Sequence, residues 1–147
     1  MREIKFRAWD EEMEMMVYQG DDEIYICFDG EKWKLLDYSR THWETDEYGM
    51  NEIEQPWEVE NIEIMQYTGN KDINGVEIYN GDIVHDDEVI YLVGFGVFTD
   101  DNDFQEPTQG QTGFYIVDIH TDETFPFYSM RYIVIGNVYE NPELLED

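Results

Sequence analysis

A single cysteine, Cys27, stands in this chain of 147 residues. One thiol excludes an internal disulfide and any zinc site built on several thiolates. Alanine is as scarce: Ala8 is the only one, and five leucines face 14 isoleucines and 10 valines. Alanine and leucine are the strongest helix formers, whereas Ile, Val and the aromatics fit a pleated, half-buried surface. The shortage excludes a helical protein and predicts an all-β one. Ser39 and Ser129 are the only serines, and neither sits in a nucleophile motif. No glycine-rich loop is followed by a lysine, so P-loop phosphate binding has no support. No apolar run is long enough to span a bilayer, and the opening MREIKFRAWD does not resemble a signal peptide. A soluble, cytoplasmic protein without membrane contact is expected.

Basic residues are the scarcest charge. Eight Lys and Arg stand against 36 Asp and Glu, for a net charge of -28. So large a charge would suit a disordered chain, but such chains also lack aromatics. Here aromatics make up 16% of the residues, enough to build a core, so the chain is expected to fold. Six of the eight cations (Arg2, Lys5, Arg7, Lys32, Lys34 and Arg40) lie in the first forty positions. From Asp72 to Met130 there is none, against thirteen carboxylates. Such a surface repels phosphates, and binding nucleic acid depends on neutralising them. The runs Lys5-Phe6-Arg7-Ala8-Trp9 and Lys32-Trp33-Lys34 mix cations with aromatics, as single-strand binders do. Against a charge of -28 they are expected to pair with carboxylates of their own chain, so no direct nucleic-acid binding is expected.

What is present reads as strands and turns. Glu3 to Trp9 alternates, with Ile4, Phe6 and Ala8 on one face. EIYICF-DG-EKWKLL carries Asp29-Gly30 between two apolar runs, a two-residue hairpin signal. Residues 38–60 show no clear period and read as a long connection with a short helix, broken by Pro56. Met65 to Val84 (MQYTGNKDINGVEIYNGDIV) contains three turn signals, at Thr68-Gly69-Asn70, Asn74-Gly75 and Asn80-Gly81. Asn-Gly supplies the two positive-φ positions of a type I′ turn. The run Glu88 to Thr99 has Gly94 and Gly96 two apart, as at a bulge or a close backbone approach. Further strands are expected at Gly113 to Thr121 and Arg131 to Tyr139. Asn141-Pro142-Glu143 places a capping residue, a proline and an acid at the start of a closing helical turn. The architecture expected is an N-terminal β-region over 1–60, then a small SH3-like or otherwise barrel-like antiparallel β-unit over 61–147.

Three blocks then resemble one family: MREIKFRAWD at the start, MQYTGNKD-NG-EIYNGDIV in the centre, and VIGNVYENPELL near the end. In this order they are similar to the YopX-type proteins of phages and prophages. The resemblance implies a protein made inside a bacterial host cell; it supplies no catalytic residues and no cofactor. It also implies that homo-oligomers could form. The Gly-Asp-Ile-Val turn feeding a long strand resembles the opening of SH3-like barrels, an analogy of fold only.

Three chemistries have some footing in the residues. Asn70, Asp72 and Asn74 with Gly75 imitate the start of a calcium loop, but the twelfth position, which needs a bidentate Glu, is Gly81. A tight turn explains the same residues. Asp118, His120 and Asp122 alternate along an expected strand and could share a face, with His85 or Asp86 as a fourth metal ligand. In a chain this acidic the same pattern also arises as a solvated face. Finally, the carboxylates themselves offer a surface for a basic host or phage protein, in the extreme a mimic of duplex DNA. The expected contact residues are Asp86, Asp87 and Glu88, and Asp100, Asp101, Asp103 and Glu106. A non-catalytic role through this surface is the leading expectation. A metal-dependent enzyme or ligand-binding protein using Asp118, His120 and Asp122, and a homo-oligomeric assembly protein, are the alternatives.

Overall fold

The computed structural model describes residues 3–21, 23–49, 51–60, 62–99, 110–127 and 131–146. It is all-β: antiparallel sheets, one of them curled into a half-barrel, and one 3-10 turn. The chain forms two compact units, Lys5–Met65 and Gln66–Asp147, the latter joined by Met1–Ile4.

The N-terminal unit contains β1 (Phe6–Asp10), β2 (Met15–Tyr18), β3 (Ile24–Phe28), β4 (Trp33–Thr45) and β5 (Glu52–Val59). Strands β1 and β2 pair antiparallel, and β3, β4 and β5 form a three-stranded antiparallel sheet in that order. Ala8, Val17, Leu35 and Val59 are buried together, and Ile24, Ile26, Ile62 and Ile64 pack on them. The β3–β4 turn falls one residue later than the Asp29-Gly30 signal suggests. The Asp29 N–H bonds the Lys32 carbonyl, so Gly30 and Glu31 are the two loop residues, with Gly30 at φ +100°. Glycine first in the loop is the type II′ arrangement. The Asp29 carboxylate caps the turn by accepting the N–H groups of Glu31 and Lys32.

The described residues of 38–60 are not a long connection and hold no helix. Their first part continues β4, and Glu52–Val59 is β5. The pairing jumps between Asp37↔Trp57 and Thr41↔Pro56, leaving Tyr38, Ser39 and Arg40 as a three-residue bulge. Pro56, which lacks an N–H for the ladder, stands at this break. Asp37 fastens the bulge, accepting from the Ser39 N–H and hydroxyl and from Arg40 Nε at 2.6 Å.

Strand β6 (Ile62–Lys71) runs through the boundary between the units. In the C-terminal unit it pairs with β7 (Glu77–Tyr79), while β8 (Asp82–His85), β9 (Ile90–Phe98), β10 (Gln111–Asp118), β11 (Thr124–Pro126) and β12 (Ile133–Asn137) form one antiparallel sheet, ordered β11-β10-β9-β8-β12. Ile78, Val84, Val93, Ile116 and Tyr132 make its buried core, with Tyr91, Phe125, Phe127 and Val134 against it.

In the turn-rich stretch Asn80-Gly81 turns the chain between β7 and β8 as expected, but the other two signals work differently. Thr68-Gly69-Asn70 is a bulge within β6, between Tyr67↔Tyr79 and Lys71↔Glu77. At Asn74-Gly75 only the glycine has positive φ, +84°, so the turn is not type I′. The Gly75 N–H bonds the Asp72 carbonyl and the Asp72 N–H bonds the Val76 carbonyl, a turn closed by a left-handed glycine. Gly94 makes the close approach its position suggests: a Cβ there would lie 2.4 Å from the Tyr115 ring on the facing strand. Pro142–Leu145 is the closing 3-10 turn, with proline at its start. Asn141 makes no side-chain cap; its Oδ1 accepts the Asn137 N–H instead.

Candidate functional site

The register of the C-terminal sheet gathers the acidic turns at one end. His85 pairs with Ile90 across the β8–β9 turn, Asp118 pairs with Tyr91, and Ile133 pairs with His85. The β8–β9 turn, the β10–β11 turn and the start of β12 therefore adjoin. Asp86, Asp87 and Glu88 of one turn and Asp118, Asp122 and Glu123 of the other thus lie at the same end of the sheet.

Each turn is built by one of its own carboxylates. Asp86 Oδ1 accepts the N–H groups of Glu88 (3.2 Å) and Val89 (3.0 Å), and Oδ2 accepts the Tyr91 hydroxyl at 3.3 Å. Burial alone would raise the Asp86 pKa, but these donors together hold it below the usual carboxylate value. Tyr91 moves the other way. Burial and then the charges of Asp86, Asp118 and Glu88 raise its pKa, so three carboxylates bear on one phenol. Asp87 sits at φ +85° and donates its N–H to His85 Nδ1 at 3.2 Å. Asp87, Glu88, Asp122 and Glu123 are exposed. A groove of about 620 Å³ beside them is lined by Ile73, Asp86, Asp87, Arg131 and Ile133.

Asp118, His120 and Asp122 do not alternate along a strand. Strand β10 ends at Asp118, and the next residues turn: Asp118 Oδ1 accepts the N–H groups of His120 (2.8 Å) and Thr121 (3.3 Å), and the Asp122 N–H bonds the Asp118 carbonyl. The Asp118 carboxylate serves the backbone turn rather than a shared face. No cluster of three potential metal ligands occurs among the described residues. Asp72 is likewise committed, accepting the N–H groups of Asn74, Val76 and Val134. Asp100, Asp101, Asp103 and Glu106 lie outside the described residues.

Lys32, Lys34 and Arg40 of the N-terminal unit pair with carboxylates of the same unit. Lys32 meets Glu60 and Lys34 meets Glu58, both at 2.9 Å. Arg40 meets Asp37 at 2.6 Å and Asp10 at 3.5 Å, and lies 5.7 Å from the centre of the Trp57 ring. Sequence reasoning missed Tyr91 and Arg131 at the acidic end. Tyr91 is the second residue of β9 and Arg131 lies two residues before β12, and the cross-strand register brings them there.

The YopX protein family model matches residues 5–146, nearly the whole chain. The chain belongs to the YopX family. A solved relative is protein EF1440 from Enterococcus faecalis, 23% identical, with 99% of this chain and 100% of that one aligned at a TM-score of 0.49. No curated protein matches the chain. No helix among the described residues is long and apolar enough to cross a membrane.

Proposed function

We propose that this YopX-family chain is a phage accessory protein that acts without catalysis, by contacting a basic protein partner through the acidic end of its C-terminal unit. The observation that carries this reading is the convergence of Asp86, Asp87, Glu88, Asp118, Asp122 and Glu123 at one end of a sheet. No Lys or Arg occurs from Asp72 to Met130, and Arg131, which lines the adjoining groove with Asp86 and Asp87, offsets them only in part. Asp86 and Asp118 spend their carboxylates on their own turns, whereas Asp87, Glu88, Asp122 and Glu123 face solvent. Acidic residues are commonly spread for solubility; these are focused on adjoining turns.

A focused field of this sign suits a partner that ordinarily holds nucleic acid. Duplex DNA carries one charge per ~1.7 Å of axis, and clustered carboxylates imitate that density over a short span. Contact of this kind forms fast and weakens with salt. Ile73 and Ile133 in the adjoining groove add apolar area, so a partner side chain can be buried as well as attracted.

The test is retention of a DNA-binding protein from bacterial lysate on the immobilised chain at low salt. Duplex DNA should displace it, and the combined Asp87→Lys, Glu88→Lys, Asp122→Lys variant should fail to hold it. Retention of nothing basic, or retention indifferent to salt and to the variant, contradicts the reading.

A further inference from the structure

The β3-β4-β5 sheet of the N-terminal unit has two edges, and only one is guarded. Natural sheets protect edges with proline and charge. Strand β5 carries Glu52, Glu54, Pro56 and Glu58. Strand β3 is Ile-Tyr-Ile-Cys-Phe, with neither.

Two bonds fix which backbone groups of β3 face outward. Tyr38 N–H donates to the Glu23 carbonyl at 2.7 Å, and Asp29 N–H donates to the Lys32 carbonyl at 3.1 Å. In an antiparallel ladder the bonded pairs alternate. Glu23, Tyr25, Cys27 and Asp29 therefore turn their polar groups to β4, and Ile24, Ile26 and Phe28 turn theirs away. The Ile24 N–H is taken by the Asp21 carbonyl. That leaves the N–H groups of Ile26 and Phe28 and the carbonyls of Ile24, Ile26 and Phe28, for which no backbone partner occurs among the described residues. A groove of about 420 Å³ runs beside this edge, lined by Gln19 to Asp21 and Glu23 to Ile26. On the sheet face beside it, Tyr25 and Tyr38 pack edge-on at 5.5 Å and frame a hollow of about 400 Å³ with Leu36 and Glu23. Tyr25 is 60% exposed and Phe28 53%.

Charge selects the occupant. Asp21 and Glu23 stand at one end of β3, Asp29 and Glu31 at the other, and the nearby Lys32 and Lys34 are neutralised by Glu60 and Glu58. A second copy pairing antiparallel would set Asp21 and Glu23 of each chain against Asp29 and Glu31 of the other, and like charges opposed across strands are destabilising. We propose that β3 is a docking edge for an extended segment of a basic protein, in which Lys or Arg alternates with apolar residues. The segment adds a strand through main-chain bonds to Ile24, Ile26 and Phe28, and its cations meet the flanking carboxylates. This edge is separate from the acidic end of the C-terminal unit and does not depend on that reading.

The test uses the full chain and a short capped peptide of alternating Lys and Val, followed by amide hydrogen exchange. Peptide should slow exchange at Ile26 and Phe28 by about tenfold or more, while Tyr25 and Cys27, already bonded to β4, change little. The same peptide N-methylated at alternate residues keeps its charge but loses its donors, and it should bind at least about tenfold more weakly. Phe28→Pro removes one outward N–H and spares the β4 ladder; it should lose peptide binding while keeping its circular dichroism spectrum. Equal binding of the methylated peptide would reduce the contact to charge attraction and overturn the proposal. So would Ile26 and Phe28 amides protected in the free chain, or protection that rises with protein concentration. If Phe28→Pro fails to fold, the methylated peptide still decides.

Discussion

Asp72 shows how a single carboxylate can organise a chain at some distance. It is buried, and its oxygens accept N–H groups from Asn74 and Val76 in its own turn and from Val134, 62 residues away on β12. Asp72→Ala strands three amides at once. An unsatisfied buried donor costs about 1–3 kcal/mol; water can reach the amides of the exposed Asn74 and Val76, so a loss of about 1–3 kcal/mol in urea unfolding is expected, with Asp72→Asn intermediate. Burial alone would raise the pKa of Asp72, yet the bonds from Val134, Val76 and Asn74 hold it low. For Asp37 burial is again outweighed, by Ser39 and Arg40, and for Asp86 by the Val89 and Glu88 amides. All three are ionised at neutral pH in both states. As pH falls, the unfolded chain takes up protons first, near pH ~4. Stability is therefore present above that pH and lost as pH drops through the lower folded values. Unfolding midpoints between neutral pH and pH ~3 check this; Asp72→Asn should flatten the acid limb, and an unchanged limb would contradict the assignment. Gly94 has no such latitude: Gly94→Ala puts a methyl into the Tyr115 ring and should cost about 1–3 kcal/mol, measurable as a lower Tm.

At the scale of elements, the β4 bulge is the feature least readable in sequence. The all-β class was legible because Ile, Val and aromatic residues replace Ala and Leu, and β1 was legible from the alternation of Phe6 and Ala8 with Arg7 and Trp9. Residues 38–60 gave no alternation, because the outer parts of β4 and β5 expose both faces; Trp43 is 64% exposed and Ile53 45%. Pro56 read as a helix breaker, but it marks the ladder break opposite the bulge. At the acidic end, Asp86 to Glu88 were legible as a charge run. The turn at Asp118 was not, because an Asp that accepts the N–H two residues on has the spacing of a strand face. Arg40 ties the bulge to β1 through Asp37 and Asp10. Both acids are nearly inaccessible, and removing one partner from a buried ion pair costs about 3–5 kcal/mol. Because Arg40 is partly exposed, the lower end is expected for Arg40→Ala, with Arg40→Lys milder, by chemical unfolding.

For the whole molecule, the two units differ in how they handle charge. The N-terminal unit pairs Lys32, Lys34 and Arg40 with its own carboxylates, whereas the C-terminal unit leaves exposed carboxylates on adjoining turns. The proposed role in protein contact rests on those exposed carboxylates. Its most direct test is the affinity of the retained DNA-binding partner for the intact chain as ionic strength rises, with and without the Asp87→Lys, Glu88→Lys, Asp122→Lys changes. The account predicts affinity that falls steeply with salt, a much shallower slope for the variant, and displacement by duplex DNA. Equal affinities and equal slopes for the two proteins would contradict it.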